Sequence, residues 1–193
     1  MIEKEIETFY PTSRQEWRLW LKENHISKQA VWLVQYKKNA NILTISWNEA
    51  VEEALCFGWI DSIRKSIDDE RFIQFFTKRK PKSAWSKINK AKVLQLIENG
   101  LMAKAGYESI ARAKDNGSWT ILDEVEELLI PNELGQEFEK KPEAKEFFLS
   151  LSKSVRKAIL QWVAFAKKPE TKTNRIKEVV ELAKDGLKPK HLR

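Results

Sequence analysis

One thiol, two imidazoles and a few carboxylates and cations set beside tryptophans are the groups in this 193-residue chain from which chemistry could be built. A catalytic thiolate needs a partner that lowers its pKa, usually a histidine or a helix N-terminus. Cys56 stands at the C-terminal end of an amphipathic pattern, and the two histidines, His25 and His191, lie far from it along the chain. It reads as a buried structural residue. A lone cysteine also forms no internal disulfide, CxxC pair or thiolate zinc site, so no metal site is expected. No GxGxxG, Walker, HExxH, GxSxG or EF-hand pattern occurs. Dinucleotide, nucleoside triphosphate, zincin, hydrolase and calcium chemistry therefore have no motif to rest on, and neither a cofactor nor a catalytic residue is assigned.

Asp61 is the carboxylate with the most unusual setting, because it follows the apolar run Phe57-Gly58-Trp59-Ile60. Its structural role would be to accept from a turn amide or to pair with Arg64 or Lys65. Its functional role would be that of a ligand-facing acid in an aromatic cleft, where burial raises a carboxyl pKa. The segment Arg79-Lys80-Pro81-Lys82-Ser83-Ala84-Trp85 interleaves cations with an indole just ahead of a helix. Free amides, the positive end of the helix dipole and nearby lysines would together attract a phosphate or carboxylate. Its structural alternative is a solvated linker in which Trp85 packs inward and Ser83 caps the helix. The expected ligand site is thus Trp59, Asp61, Arg79, Lys80, Lys82, Ser83 and Trp85. Near the C-terminus, Trp162, Lys167, Lys168 and Arg175 sit on a basic helical pair that would meet a protein partner.

Charge is divided into blocks. Arg71 to Ile97 carries eight basic residues and no acid, Asp115 to Glu146 carries ten acids against three lysines, and Ser150 to Arg193 carries twelve basic residues against four acids. The net charge is +7. Such blocks suit nucleic acid or acidic partners, and they also suit each other. Hydrophobic residues at 42% and charged residues at 33% exclude disorder, and no apolar run reaches the length of a membrane-spanning helix. The N-terminus lacks the basic-then-apolar order of a signal peptide, so a cytoplasmic address is expected.

The elements that must position these residues follow from periodicity. Residues 1–10 read as an irregular arm. Ser13-x-x-Glu16 and Ser46-x-x-Glu49 have the form of helix starts in which side chains satisfy free amides, and each opens an amphipathic helix. The second helix has Trp47, Ala50, Val51, Ala54 and Leu55 on one face and ends at Gly58. Ala30–Tyr36 with Ile42–Ile45 reads as one β-hairpin, and Trp59–Ser66 with Arg71–Thr77 as another. From about Ala84 the pattern is helical to the end, with Pro169 breaking the helix that starts near Ser154. The fold class is α+β: a small antiparallel N-terminal sheet with helices over 1–118, followed by an all-helical module over 119–193.

Three strings, Glu53–Ser62 (EALCFGWIDS), Lys80–Ser86 (KPKSAWS) and Trp162–Thr171 (WVAFAKKPET) running on to Arg175-Ile176, resemble the YdeI/OmpD-associated, bacteriocin-protection family. The resemblance places that family's small helical module at about Pro142 to Leu187. It implies a bacterial stress or bacteriocin-protection role and no defined reaction. The combined expectation is a non-catalytic cytoplasmic protein that binds a small anionic or peptidic ligand in its aromatic and basic cleft. The alternative is a nucleic-acid-binding module using the basic blocks, although no RNP-like or KH-like motif is present. A third reading is an enzyme using Asp61 beside a basic residue.

Overall fold

Serine caps open the first two α-helices, and one glycine closes the second of them. In the computed structural model, which describes residues 6–192, Ser13 Oγ accepts from Glu16 N at the start of α1 (Arg14–Asn24). Ser46 does the same for Glu49 at the start of α2 (Trp47–Cys56), and the Glu49 carboxylate returns a bond to Ser46 N, completing a capping box. Gly58 takes φ +71° and releases the chain from α2 into a strand, a turn that a side chain would strain.

Four strands form one sheet in the order β1-β2-β4-β3: β1 (Thr8–Phe9), β2 (Ala30–Tyr36), β3 (Trp59–Ser66) and β4 (Arg71–Lys78). The β3–β4 hairpin forms as the alternation predicts, with a register shift between Asp61 and Arg64. The first expected hairpin does not form. β2 pairs with β4 along its whole length and with the short parallel β1 at Trp32 and Leu33, and Ile42–Ile45 joins neither edge. That segment instead follows a 3-10 turn at Lys38–Ala40 and a left-handed Asn41, and only the Thr44 hydroxyl caps the Tyr36 amide. Of the expected N-terminal arm, residues 1–5 lie outside the described residues, and Thr8–Phe9 form a short strand; the sheet is antiparallel except at that parallel edge.

Residues of β2 and β4 alternate as a half-buried sheet requires. Val31, Leu33, Phe72 and Phe76 are buried, and Phe76 meets the edge of Trp17 from α1 at 5.4 Å. Trp47 departs from expectation: it is 47% exposed, because the buried stripe of α2 is carried by Ala50, Val51, Glu53, Ala54 and Leu55.

The helical remainder comprises α3 (Lys87–Glu98), α4 (Lys104–Asp115), α5 (Asp123–Glu126), α6 (Asn132–Glu139), α7 (Pro142–Ser150), α8 (Lys153–Ala164) and α9 (Pro169–Lys184). Pro169 starts α9 rather than breaking α8; at a first helical position the missing proline N–H costs nothing. The chain gathers into two compact units. One takes the chain up to Ser83 together with Ile88–Trp119, and the other takes Ala84–Lys87 together with the chain from Thr120. The second unit has its own core, built on Leu134, Phe138, Phe148, Ile159, Leu160, Val163 and Val179.

A basic cleft in the sheet unit

Two glycines draw the end of α2 and the start of α4 together. A Cβ on Gly106 would lie 2.3 Å from the Cys56 carbonyl oxygen, and one on Gly58 would lie 2.9 Å from that of Ala105. The Ala103 amide donates to the same Cys56 oxygen at 3.1 Å. On the other side of Gly58, its carbonyl accepts from Arg79 N at 2.9 Å, and Lys78 Nζ donates to the Ile26 carbonyl at 2.6 Å. The space these contacts leave is a cleft of about 380 Å³ lined by His25, Trp59, Lys78, Arg79, Lys104, Glu108 and Arg112, among others.

Four of those side chains are cations and one is an acid. Glu108 faces Lys104 at 3.9 Å, a long exposed pair. Arg79 is 8% exposed, and burial lowers its pKa to about 10, against the opposing charge of Asp61. It is still protonated at neutral pH. Trp59 is fully buried, edge-on to Trp20 at 5.9 Å, and its indole N–H has no hydrogen-bond partner among the described residues. Buried donors are ordinarily satisfied, so an N–H left open beside a group of cations is a position for an acceptor.

The expected site residues are placed as follows. Trp59 and Arg79 meet in this cleft. Asp61 does not line it; its carboxylate accepts from Trp47 Nε1 at 2.9 Å and from Gln74 Nε2 at 3.2 Å, rather than from a turn amide, Arg64 or Lys65. Lys80 and Lys82 are exposed on a turn closed by Ser83 N donating to the Lys80 carbonyl at 3.0 Å. Ser83 caps no helix, because α3 begins at Lys87. Trp85 is 1% exposed and belongs to the second unit, so neither it nor Trp59 offers a ring face to solvent. The amide at the head of α3 already faces an anion of the chain itself, since Lys87 N donates to the Glu126 carboxylate at 3.4 Å.

Lys78, Lys104, Arg112 and His25 were not among the expected ligand residues. The one local signal for them is the four-residue spacing of Lys104, Glu108 and Arg112, which puts all three on one stripe of α4.

In the second unit, the Arg175 guanidinium lies 5.0 Å over the Trp162 ring and donates to the Trp162 carbonyl, and the His191 ring meets that indole at 4.3 Å. Arg175 and Trp162 therefore hold α8 and α9 together, and Lys167 and Lys168 are exposed beside them. Within this unit the acidic block meets lysines of the chain itself: Glu126 pairs with Lys157, Glu127 with Lys87, Glu133 with Lys172 and Glu137 with Lys140. Among the described residues no cluster of three or more His, Cys, Asp or Glu could hold a metal, and no helix is long and apolar enough to cross a membrane.

Residues 9–109, which include every wall of the cleft from Trp59 to Glu108, match the model of a family described as a domain of unknown function, DUF8412. The chain belongs to that family. Residues 127–186 match a second model, described as Bacteriocin-protection, YdeI or OmpD-Associated. The bacteriocin-protection likeness thus covers part of the chain and begins upstream of Pro142. The strings Glu53–Ser62 and Lys80–Ser86 lie within the DUF8412 match. No curated protein and no solved structure matches the chain.

Proposed function

We propose that the DUF8412 part of this protein is a binding module for a small polyanion, taken in the cleft around Arg79, and that the protein performs no reaction of its own. The observation that carries this reading is the open Trp59 N–H in a cleft whose cations are Lys78, Arg79, Lys104 and Arg112. A carboxylate or phosphate oxygen accepts from the indole, and the guanidinium of Arg79, desolvated by burial, supplies a charge that water screens little. The description of residues 127–186 supports a bacteriocin-protection role. In that role the exposed Lys167 and Lys168, beside the Trp162–Arg175 clamp, face a protein partner.

Isothermal titration calorimetry with inorganic phosphate and with citrate tests the cleft. Arg112→Ala, at an exposed position, is expected to weaken binding about tenfold, equivalent to ~1.4 kcal/mol. Trp59→Phe keeps an aromatic ring and removes the N–H, and is expected to weaken it by a similar factor. Absence of heat with both probes overturns the reading.

The nucleic-acid reading has one observation in its favour. On the sheet face opposite the buried side chains, Trp32 and Phe75 pack at 4.6 Å with Lys65 Nζ 5.0 Å over the Trp32 ring. Bases stack on such pairs, and binding of that kind falls steeply with salt. Salt-independent binding, or none, to a single-stranded oligonucleotide removes it.

A further inference from the structure

A second cavity, about 760 Å³, opens between the segment Asn41–Ser46 and the sheet, and none of its walls belongs to the basic cleft. Three features of it point to a ligand. Gln35 lines it while only 1% exposed. Its Nε2 donates to the Ile45 carbonyl at 2.9 Å, and since a carbonyl only accepts, this fixes which end of the amide is which. Oε1 is left with no hydrogen-bond partner among the described residues, an acceptor waiting for a donor.

The second feature is Trp47. An exposed indole is ordinarily free to rotate, but this one is held by its N–H on Asp61 at 2.9 Å and leaves nearly half its surface, 47%, open at the cavity wall. A ring fixed in advance loses little entropy when another ring stacks on it. Third, the cavity carries positive charge from Arg64, Lys37 and Lys38. The Arg64 guanidinium lies 3.6 Å over Phe72 and the Lys37 ammonium donates to the Asp68 carbonyl. The one carboxylate on the wall, Glu49, is bound up in the Ser46 capping box.

We infer that this cavity is a second binding site, for a planar heteroaromatic ring that bears an N–H donor and carries an anionic tail, the chemistry of a mononucleotide. The ring stacks on Trp47, its donor satisfies Gln35 Oε1, and the tail meets Arg64 and the two lysines. The volume lies within the usual range of small-molecule sites. The proposal is independent of the anion reading of the Arg79 cleft, which has different walls and a different reporter.

The test uses the full chain and ¹H–¹⁵N NMR, with AMP, adenosine and ribose 5-phosphate as probes up to about 10 mM. AMP is expected to shift the Trp47 indole N–H and the Gln35 side-chain amide signals. Adenosine should do so more weakly, and ribose 5-phosphate should leave both in place. The Trp17 indole, which donates to the Ala50 carbonyl in the core, serves as the folding control. Trp47→Ala is expected to abolish the Gln35 shift, and Arg64→Ala to weaken AMP about five- to tenfold with the Trp17 signal unmoved. If AMP leaves Trp47 and Gln35 unmoved, if ribose 5-phosphate moves them as far as AMP does, or if only the Trp59 signal responds, the proposal is overturned.

Discussion

Trp47 and Asp61, fourteen residues apart, are joined by an indole N–H to carboxylate bond of 2.9 Å that ties the first turn of α2 to β3. Gln74 donates to the same Oδ2 from β4 at 3.2 Å, and the register shift that follows Asp61 turns Arg64 onto Phe72. Asp61 is thus a fastener between helix and sheet, and its charge is felt by Arg79. Asn at this position keeps an acceptor but loses the charge that strengthens both bonds. Asp61→Asn is expected to cost about 1–2 kcal/mol in urea unfolding. Because it removes an acid near the cleft, it should also raise phosphate affinity by a few-fold. Loss of phosphate binding would instead make Asp61 a ligand group.

The approach of α4 to α2 rests on the absence of one methyl group. Gly106 is buried, and a Cβ there would meet the Cys56 carbonyl at 2.3 Å and Met102 Cε at 2.5 Å. Methionine can swing away, but the carbonyl belongs to the last turn of α2 and moves only with the helix. Gly106→Ala is expected to destabilise by about 2–3 kcal/mol, the range for overpacking a close contact. It should also lower phosphate affinity, since Lys104, Glu108 and Arg112 ride on the displaced helix. Wild-type stability together with wild-type affinity would contradict this account of the cleft.

Local signals made much of the fold legible. Ser-x-x-Glu caps marked the starts of α1 and α2, Gly58 marked the end of α2, and strand alternation marked the β3–β4 hairpin, because these are decided by residues within a few positions of one another. Ala30–Tyr36 is a strand as its alternation predicts, but Ile42–Ile45 is not its hairpin partner, because a strand's partner is chosen by competition across the whole sheet: β2 pairs with β4 along its length and with the two-residue β1. The site was half legible for the same reason. Trp59 and Arg79 were visible as an aromatic and a cation at strand ends. Lys104 and Arg112 come to them only through the α2–α4 contact at Gly58 and Gly106, which no local pattern encodes. Trp85 was expected either in the ligand site or packed inward, and it is core.

Glu53, on the buried face of α2, is the hub of an ion cluster. At 2% side-chain exposure it accepts from Arg14 Nε at 2.5 Å and Arg18 Nη1 at 2.7 Å. Burial opposes the charge on both arginines, and the Glu53 carboxylate more than offsets it, so their pKa values rise. Removing the hub leaves the half-buried Arg14 with Glu52 and Arg18 with the Leu101 carbonyl as their remaining partners. Glu53→Ala is expected to cost about 3 kcal/mol, the lower end for breaking a buried pair, because the guanidinium groups are about one-third exposed, at 34% and 33%, and water recovers part of the loss. In a double-mutant cycle with Arg14→Ala the two costs should be less than additive by about 1 kcal/mol or more. Additive costs would show that the geometry carries no coupling.

Cys56 supplies the pH prediction. Burial, with the nearby Glu53 charge adding to it, raises its thiol pKa from 9.0 to about 11. In the unfolded chain the thiol ionises near its ordinary value, so between about pH 9 and 11 the unfolded state releases a proton that the folded state retains. Stability from this group is therefore complete below pH 9 and is lost as pH rises towards 11, by an amount on the order of 2–3 kcal/mol. Cys56→Ala has no proton to release. The stability difference between wild type and variant, followed by urea unfolding from pH 8 to 10.5, should narrow with rising pH. The same burial predicts that a thiol-specific disulfide reagent at pH 8 labels Cys56 only as fast as the protein opens, and that adding urea accelerates labelling in step with unfolding. Rapid labelling of the folded protein, or a pH-independent difference, would mean that the thiol is reached by solvent and ionises normally.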